Sequence, residues 1–343
     1  MSQIYKTAIL GASGYTGAEL VRILSSHPNF EVTGLAADRR AGEAYGAVYP
    51  NFAHFDLPHL QRIEEMDLAD YDMIFAGLPH GVTHHLAKQL PATTKLVDLS
   101  ADFRLRDPEV YKKWYGLDHS AMEIQPSVAY GLPEFYRDEI ADAQITANTG
   151  CYVATSLLPL IPILRAGLID PDRIIIDAAS GVTGAGRSPK EGLLYTEVSD
   201  GFHAYGIAHH RHMGELDQEL SKAAGQSVTP SFTPHLLPQS RGILATIYVD
   251  GDADKIRETL EAQFAGELFV AVLPLGQSPA TRHVKGSNYC RIGITPDRIK
   301  GRTIITSALD NLGKGASAQA IQNANIMLKL DEAAGLKGAP IFP

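Results

Sequence analysis

Cysteine is nearly absent from this chain: Cys151 and Cys290 are the only two in 343 residues. Two thiols cannot build a disulfide framework, and they fit a reducing compartment in which a free thiol persists, so no pairing is expected. Long apolar runs are missing as well, since nothing approaches the ~20 residues that a bilayer-spanning helix requires. The chain enters a strand pattern at Tyr5 without the basic and apolar regions of a secretory leader, and the expected location is cytoplasmic. An excess of positive charge is also lacking. With 30 Lys and Arg against 39 Asp and Glu, the net charge is −9, which gives no general attraction to nucleic acid and leaves only a local basic pocket for a small anion. No internal repeat or low-complexity linker is visible. Apolar residues at 45% and charged residues at 20% exclude both a disordered and a membrane composition, and the length favours two domains.

What is present begins with a strand, a glycine turn and a helix. Tyr5–Leu10 reads as an apolar strand that runs into Gly11-Ala12-Ser13-Gly14-Tyr15-Thr16-Gly17, followed by helical spacing at Leu20, Val21, Ile23 and Leu24. Glycines at 11, 14 and 17 allow a tight turn and the approach of a pyrophosphate to a helix N-terminus. A second strand at Phe30–Ala36 completes a βαβ unit, and Asp38-Arg39-Arg40 follows where an adenosine ribose would lie. Two guanidinium groups there suit a 2′-phosphate, so the reading favours NADP over NAD. A solvated surface pair is the plainer alternative. Strand and helix signals then alternate at Met73–Ala76, Val82–Leu90 and Lys95–Asp98, as in a parallel, doubly wound sheet. The loop 77–81, with Pro79, follows one strand end and is expected to line the cofactor site.

The run 147–152, Ala-Asn-Thr-Gly-Cys-Tyr, carries the chemistry. It sets a thiol where a strand-like segment turns into the helical segment Thr155–Leu164, and unpaired N–H groups with the helix dipole stabilise a thiolate there. Val153, Leu157, Leu160, Ile161, Leu164 and Leu168 keep helical spacing, which predicts one buried face and Cys151 at an exposed tip. Taken alone, a cysteine is more often a small buried hydrophobe. From residue 174 the pattern changes to strands at Ile174–Ala178, Ile243–Val249, Leu268–Leu273 and Thr303–Ala308, separated by helices near Glu215–Ala223 and Ala253–Phe264. This predicts an α+β domain with a mixed or antiparallel sheet.

Three constellations in that region could serve Cys151. In His209-His210-Arg211-His212, with Glu215 three residues beyond, His212 would open a helix through Leu216 and Leu220 and meet Glu215 on one face. A carboxylate there would orient an imidazole for acid–base work. A metal site competes poorly, because no second ligand cluster of suitable spacing exists. The segment 180–187, Ser-Gly-Val-Thr-Gly-Ala-Gly-Arg, offers backbone N–H groups, hydroxyls and a guanidinium to an anion, or else is a mobile loop. The segment 310–315, Asp-Asn-Leu-Gly-Lys-Gly, leads into a helix with Ala316, Ala320 and Ala324 on one face, which it could simply cap.

The blocks at 11–20, 98–105, 130–134, 148–152, 181–187, 210–212 and 310–316, in this order, resemble those of the N-acetyl-gamma-glutamyl-phosphate reductase family nearly end to end. The family pattern has proline at three places where this chain has Thr149, Val153 and Gly214, changes in backbone stiffness and not in reacting groups. The resemblance implies an α/β plus α+β fold: a Rossmann NADP-binding domain over 1–150 and 313–343, and a catalytic and oligomerisation domain over 151–312 like that of glyceraldehyde-3-phosphate and aspartate-semialdehyde dehydrogenases. It further implies a homodimer or homotetramer, no metal, and attack by Cys151 on the acyl phosphate of N-acetylglutamyl phosphate. The resulting thioester takes hydride from NADPH. His212 is the expected acid–base and His210 the fallback, with Glu215 tuning it. Substrate contacts are assigned to Arg104, Asn148, Arg187 and His210. Cofactor contacts are assigned to Gly11, Ser13, Gly14, Tyr15, Thr16, Gly17, Arg39, Arg40, Pro79, Ser180, Gly181 and Asn311. Two other functions remain open: reduction of a carrier-protein-bound aminoadipyl or glutamyl phosphate, and non-enzymatic NADP sensing.

Overall fold

The computed structural model describes residues 3–342. The chain divides into two compact units, Met1–Thr149 with Ala316–Gly338, and Gly150–Gly315 with Ala339–Pro343. The return to the first unit therefore starts three residues later than the expected 313. The tail from 339 goes with the second unit, where the Ile341 N–H donates to the Lys285 carbonyl at 2.8 Å.

In the first unit, β1 (Tyr5–Leu10), β2 (Phe30–Ala36), β3 (Leu60–Gln61), β4 (Met73–Ala76), β5 (Lys95–Asp98), β6 (Ala129–Gly131) and β7 (Ile145–Asn148) form one sheet in the order β3-β2-β1-β4-β5-β7-β6. Every pairing is parallel. Strands so arranged are covered on both faces, which is why β4 and β7 are buried at every residue, the Thr146 and Asn148 side chains of β7 included. Ala8, Leu10, Ile74, Leu96, Phe103 and Ala147 form part of its core. The helix Ala318–Met327 packs on this sheet and is buried along its whole length, amides included.

In the second unit, β8 (Ile175–Gly181), β9 (His203–Ala204), β10 (Ser231–Leu237), β11 (Ile243–Asp250), β12 (Val270–Val272), β13 (Cys290–Pro296) and β14 (Arg302–Leu309) order as β12-β13-β14-β11-β8-β10-β9. The sheet is mixed, with β8–β10 and β12–β13 parallel and the other pairs antiparallel. Burial alternates along β11 with a period of two, so only one face is covered. The helices Cys151–Arg165 and Ala253–Gln263 pack on that face, and the helix His212–Ala224 packs against the first of them. The expected one-faced amphipathic helix is corrected here: residues 152–164 are all buried, because sheet and neighbouring helices enclose the segment on every side. The helix also starts at Cys151 itself and continues through Pro159 and Pro162.

Candidate active site

The glycine turn is built for close approach. A β-carbon on Gly17 would stand 2.6 Å from both the Ala12 α-carbon and the Gly11 carbonyl oxygen, so only glycine lets the helix Tyr15–Leu24 start so near the strand. Gly11 itself lies at φ +82°, against the Gly77 carbonyl. Two tyrosines that sequence reasoning did not single out fix the turn. Tyr45 donates to the Ala12 carbonyl at 3.1 Å, and Tyr49 donates to those of Ser13 at 2.9 Å and Gly14 at 3.1 Å. Holding the carbonyls on the tyrosine side leaves the first helical turn of Tyr15, Thr16 and Gly17, which contains no acidic residue, to present N–H groups to an anion. Arg39 and Arg40 lie in a short 3₁₀ turn after β2 and are exposed. Arg40 pairs with Glu43 at 3.2 Å, whereas no ion pair joins Arg39 among the described residues. A pocket of about 370 Å³ beside them is lined by Asp38, Met66, Leu78 and Leu86 among others, and Pro79 is exposed in the adjoining loop. These residues fit a dinucleotide: donors for its phosphates, and a cleft of mixed lining with the Asp38 carboxylate just after β2.

That loop is organised by two buried carboxylates. Asp102 accepts from the Gly81 N–H at 2.7 Å, the Thr83 N–H at 2.9 Å and the Tyr111 hydroxyl at 3.1 Å. Asp98 accepts from the Thr83 hydroxyl at 3.1 Å and from the Ser100 N–H and hydroxyl at 2.9 Å each. Burial, followed by the charge of Asp102, pushes the Asp98 carboxyl up to about 7.

Two expected substrate contacts lie in the first unit. Arg104 is buried and donates Nε–H to the Asn148 carbonyl at 2.7 Å and Nη2–H to the Leu99 carbonyl at 3.1 Å, so it clamps the end of β7. The Asn148 amide is buried and engaged at both ends, donating to the Ala316 carbonyl at 3.1 Å and accepting from Asn323 at 3.0 Å. Both side chains hold neighbouring groups in place at the end of β7.

In the second unit, Cys151 is half-buried at the first position of its helix, not at a fully exposed tip. Gly150 precedes it as N-cap and donates its N–H to Glu215 Oε1 at 3.1 Å. A β-carbon on Gly150 would stand 2.6 Å from His212 Nε2 and 3.0 Å from Glu215 Oε2, so imidazole and carboxylate converge on the turn that carries the thiol. Glu215 is fully buried, and its hold on the Gly150 N–H is a function that helical spacing alone did not reveal. The turn entering this helix is strained at Ala208, a non-glycine residue at φ +60°. His210 accepts the His212 N–H on Nδ1 at 3.2 Å, and burial first, then the Arg211 and His209 charges, lower its imidazole to about 4. With Nδ1 accepting, the neutral ring carries its proton on Nε2.

The segment 180–187 is not an open anion nest. The N–H groups of Gly181, Val182 and Thr183 donate to carbonyls of Gly242 at 2.9 Å, Gln239 at 2.8 Å and Ser240 at 3.3 Å, and Ser180 donates its hydroxyl to the Gly181 carbonyl at 3.0 Å. Asn311 is engaged as well, accepting from the Gly242 N–H at 2.8 Å and donating to the Thr183 hydroxyl at 2.9 Å. Gly181 and Asn311 thus link this segment to the loop at Gly242, while the Ser180 hydroxyl bonds its own neighbour. Arg187 remains exposed. Among the described residues no cluster could hold a metal ion, and no helix is long and apolar enough to cross a membrane.

A parallel sheet with a glycine turn, and a mixed-sheet unit whose leading helix opens on cysteine, are the parts of a two-domain dehydrogenase. Residues 6–143 match the semialdehyde dehydrogenase NAD binding domain and residues 151–311 the semialdehyde dehydrogenase dimerisation domain, so the chain has a nicotinamide-dinucleotide domain and belongs to the semialdehyde dehydrogenases. A Ruegeria pomeroyi protein named N-acetyl-gamma-glutamyl-phosphate reductase is 55% identical over 340 residues, 99% of each chain. A Paracoccus denitrificans protein of the same name is 56% identical over 339 residues, 98% of this chain and 99% of that one. Within the class, the chain belongs to the N-acetyl-gamma-glutamyl-phosphate reductase family. Among solved structures, aspartate semialdehyde dehydrogenase II from Vibrio cholerae, complexed with ASA, matches with a TM-score of 0.73 at 18% identity, covering 96% of this chain and 99% of that one. The Candida albicans aspartate semialdehyde dehydrogenase with NADP gives 0.69 at 18% identity, covering 95% and 99%. At such identity these two speak for the fold.

Proposed function

We propose that the chain reduces N-acetyl-L-glutamyl 5-phosphate to N-acetyl-L-glutamate 5-semialdehyde with release of phosphate, a step of arginine biosynthesis, using NADPH. The observation that carries this reading is the convergence of His212 Nε2 and Glu215 Oε2 on Gly150, immediately before Cys151. In the reaction, the Cys151 thiolate adds to the acyl carbonyl, the carbon–oxygen bond to phosphate breaks, and a thioester remains on sulfur. The dinucleotide supplies the hydride that reduces this thioester. His212 then gives a proton to the thiohemiacetal oxygen and takes it back as the carbon–sulfur bond breaks, freeing the aldehyde and the thiolate. Glu215 holds the Gly150 N–H, and its carboxylate is assigned to tuning the imidazole. His210, held neutral with its proton on Nε2, acts as a hydrogen-bond donor to substrate and not as the acid–base. The exposed guanidinium of Arg187 is assigned to the substrate's carboxylate or phosphate.

Arg39, without an ion-pair partner, supports NADP over NAD, since a 2′-phosphate would supply the missing anion. The half-exposed face of the second sheet carries Leu244, Tyr248 and Ile304, and it is assigned to a second copy of the chain in a homodimer or homotetramer. Biosynthetic use and two cysteines outside any disulfide support a cytoplasmic location. Neither the carrier-bound substrate nor the sensor role gains support from the relatives. The test is a reverse assay with N-acetylglutamate semialdehyde, phosphate and NADP. A rise in NADPH absorbance that requires phosphate supports the proposal, and no rise overturns it.

A further inference from the structure

The residue after the nucleophile has no role in the chemistry above, yet its side chain touches both histidines of the site. Tyr152 is 2% exposed. Its ring stands edge-on to His210, with centroids 5.7 Å apart, and to His212, at 5.9 Å; the two imidazoles are themselves 4.8 Å apart. Its hydroxyl donates to the His235 carbonyl in β10 at 2.9 Å and accepts from the Tyr205 hydroxyl at 3.1 Å. Tyr205 in turn lies edge-on to His210 at 5.5 Å, and its N–H is fixed on the Pro234 carbonyl at 3.0 Å. Phe232 closes the cluster, 5.5 Å from Tyr152 and 5.7 Å from His210.

We propose that Tyr152 is a positioning residue for proton transfer: its ring spaces His210 and His212, and its hydroxyl pins that ring to β10. The inference rests on the acid–base reading of His212. Without such a brace, the turn 205–211 would deliver both histidines from a strained backbone at Ala208, whose φ of +60° favours relaxation. Rigid placement matters because a shift of about 1 Å in a reacting group costs on the order of 10²-fold in rate. The brace holds at every working pH, since burial above all raises both phenols, Tyr205 to about 12. Tyr152 also ties the histidines to the nucleophile's own helix, of which it is the second residue.

The test is Tyr152→Phe, which keeps the ring and removes only the hydroxyl. Roughly a tenfold fall in kcat is expected, with both KM values and the melting temperature nearly unchanged and a larger solvent deuterium isotope effect on kcat. Tyr205→Phe, which spares the bond to His235, should cost less. Wild-type kcat in Tyr152→Phe, a loss confined to KM or melting temperature, or a greater loss in Tyr205→Phe overturns the proposal. His212→Asn, measured in parallel, separates the two levels. If it is crippled while Tyr152→Phe is silent, the bracing role alone falls; if it is silent, the proton-transfer assignment falls and takes the brace with it.

Discussion

His212 Nε2 stands 2.6 Å from where a β-carbon on Gly150 would be, so the imidazole occupies the space that any other residue at 150 would need. This makes Gly150 the clearance on which the site depends. Gly150→Ala should fold, because its φ of −66° suits alanine, yet it should displace both His212 and the Glu215 carboxylate. We expect kcat to fall by roughly 10²-fold with dinucleotide affinity preserved. Full activity in Gly150→Ala would show that the imidazole is not needed where it lies.

The two histidines should separate by pH behaviour. His210 is lowered to about 4, so it stays neutral at any pH above 5 and contributes no ionisation to the working range. His210→Asn is expected to raise the substrate KM while retaining the pH–rate limb that belongs to the acid–base. His212→Asn should lose that limb together with about 10²–10⁴-fold in kcat. Loss of the limb in His210→Asn would exchange the roles.

Asp98 predicts a pH-dependent stability. Its carboxyl is raised from 3.8 to about 7 by burial and by Asp102, so folding favours the protonated form. The stabilisation is complete below pH 3.8 and is lost as pH rises through 7. Asp98→Asn, which mimics the protonated carboxyl, should gain in melting temperature relative to wild type between about pH 4 and 8. Thermal unfolding across that range checks it, and a constant difference would contradict it.

At the dinucleotide end, the pairing of Arg40 with Glu43 separates two adjacent guanidinium groups that sequence alone treats as equals. Arg39→Ala should raise the KM for NADP severalfold more than Arg40→Ala does, with little change for NAD. Equal effects on both cofactors would move the source of preference elsewhere.

Local chemistry was legible in the sequence where it depends on neighbours in the chain. Strands β1, β2, β4 and β5 lie within the expected bounds, because apolar runs between turns have one structural solution in a parallel sheet. β10 was not foreseen: Pro234 interrupts its pattern, and its place beside β8 is fixed only by pairing 56 residues away. Site residues divide the same way. His212 and Glu215 share one helical turn, so spacing found them. Arg104, Asn148 and Asn311 look like ligand contacts by residue type, and only the folded chain reveals backbone partners already held. Tyr45 and Tyr49 carry no motif at all. The departure at Thr149 also has a physical consequence, since its hydroxyl accepts from Gln319 at 2.5 Å, a bond that proline could not make.

The thioester on Cys151 is the central claim, and omitting phosphate isolates it. Protein mixed with N-acetylglutamate semialdehyde and NADP, without phosphate, should release about one NADPH per active site and then stop, because nothing removes the acyl group from sulfur. Mass spectrometry of the quenched protein should find an N-acetylglutamyl adduct on the peptide containing Cys151, none on the fully buried Cys290, and none in Cys151→Ser. Addition of phosphate should discharge the adduct and restart turnover. Steady NADPH production without phosphate, or a burst with no adduct on Cys151, would contradict the account.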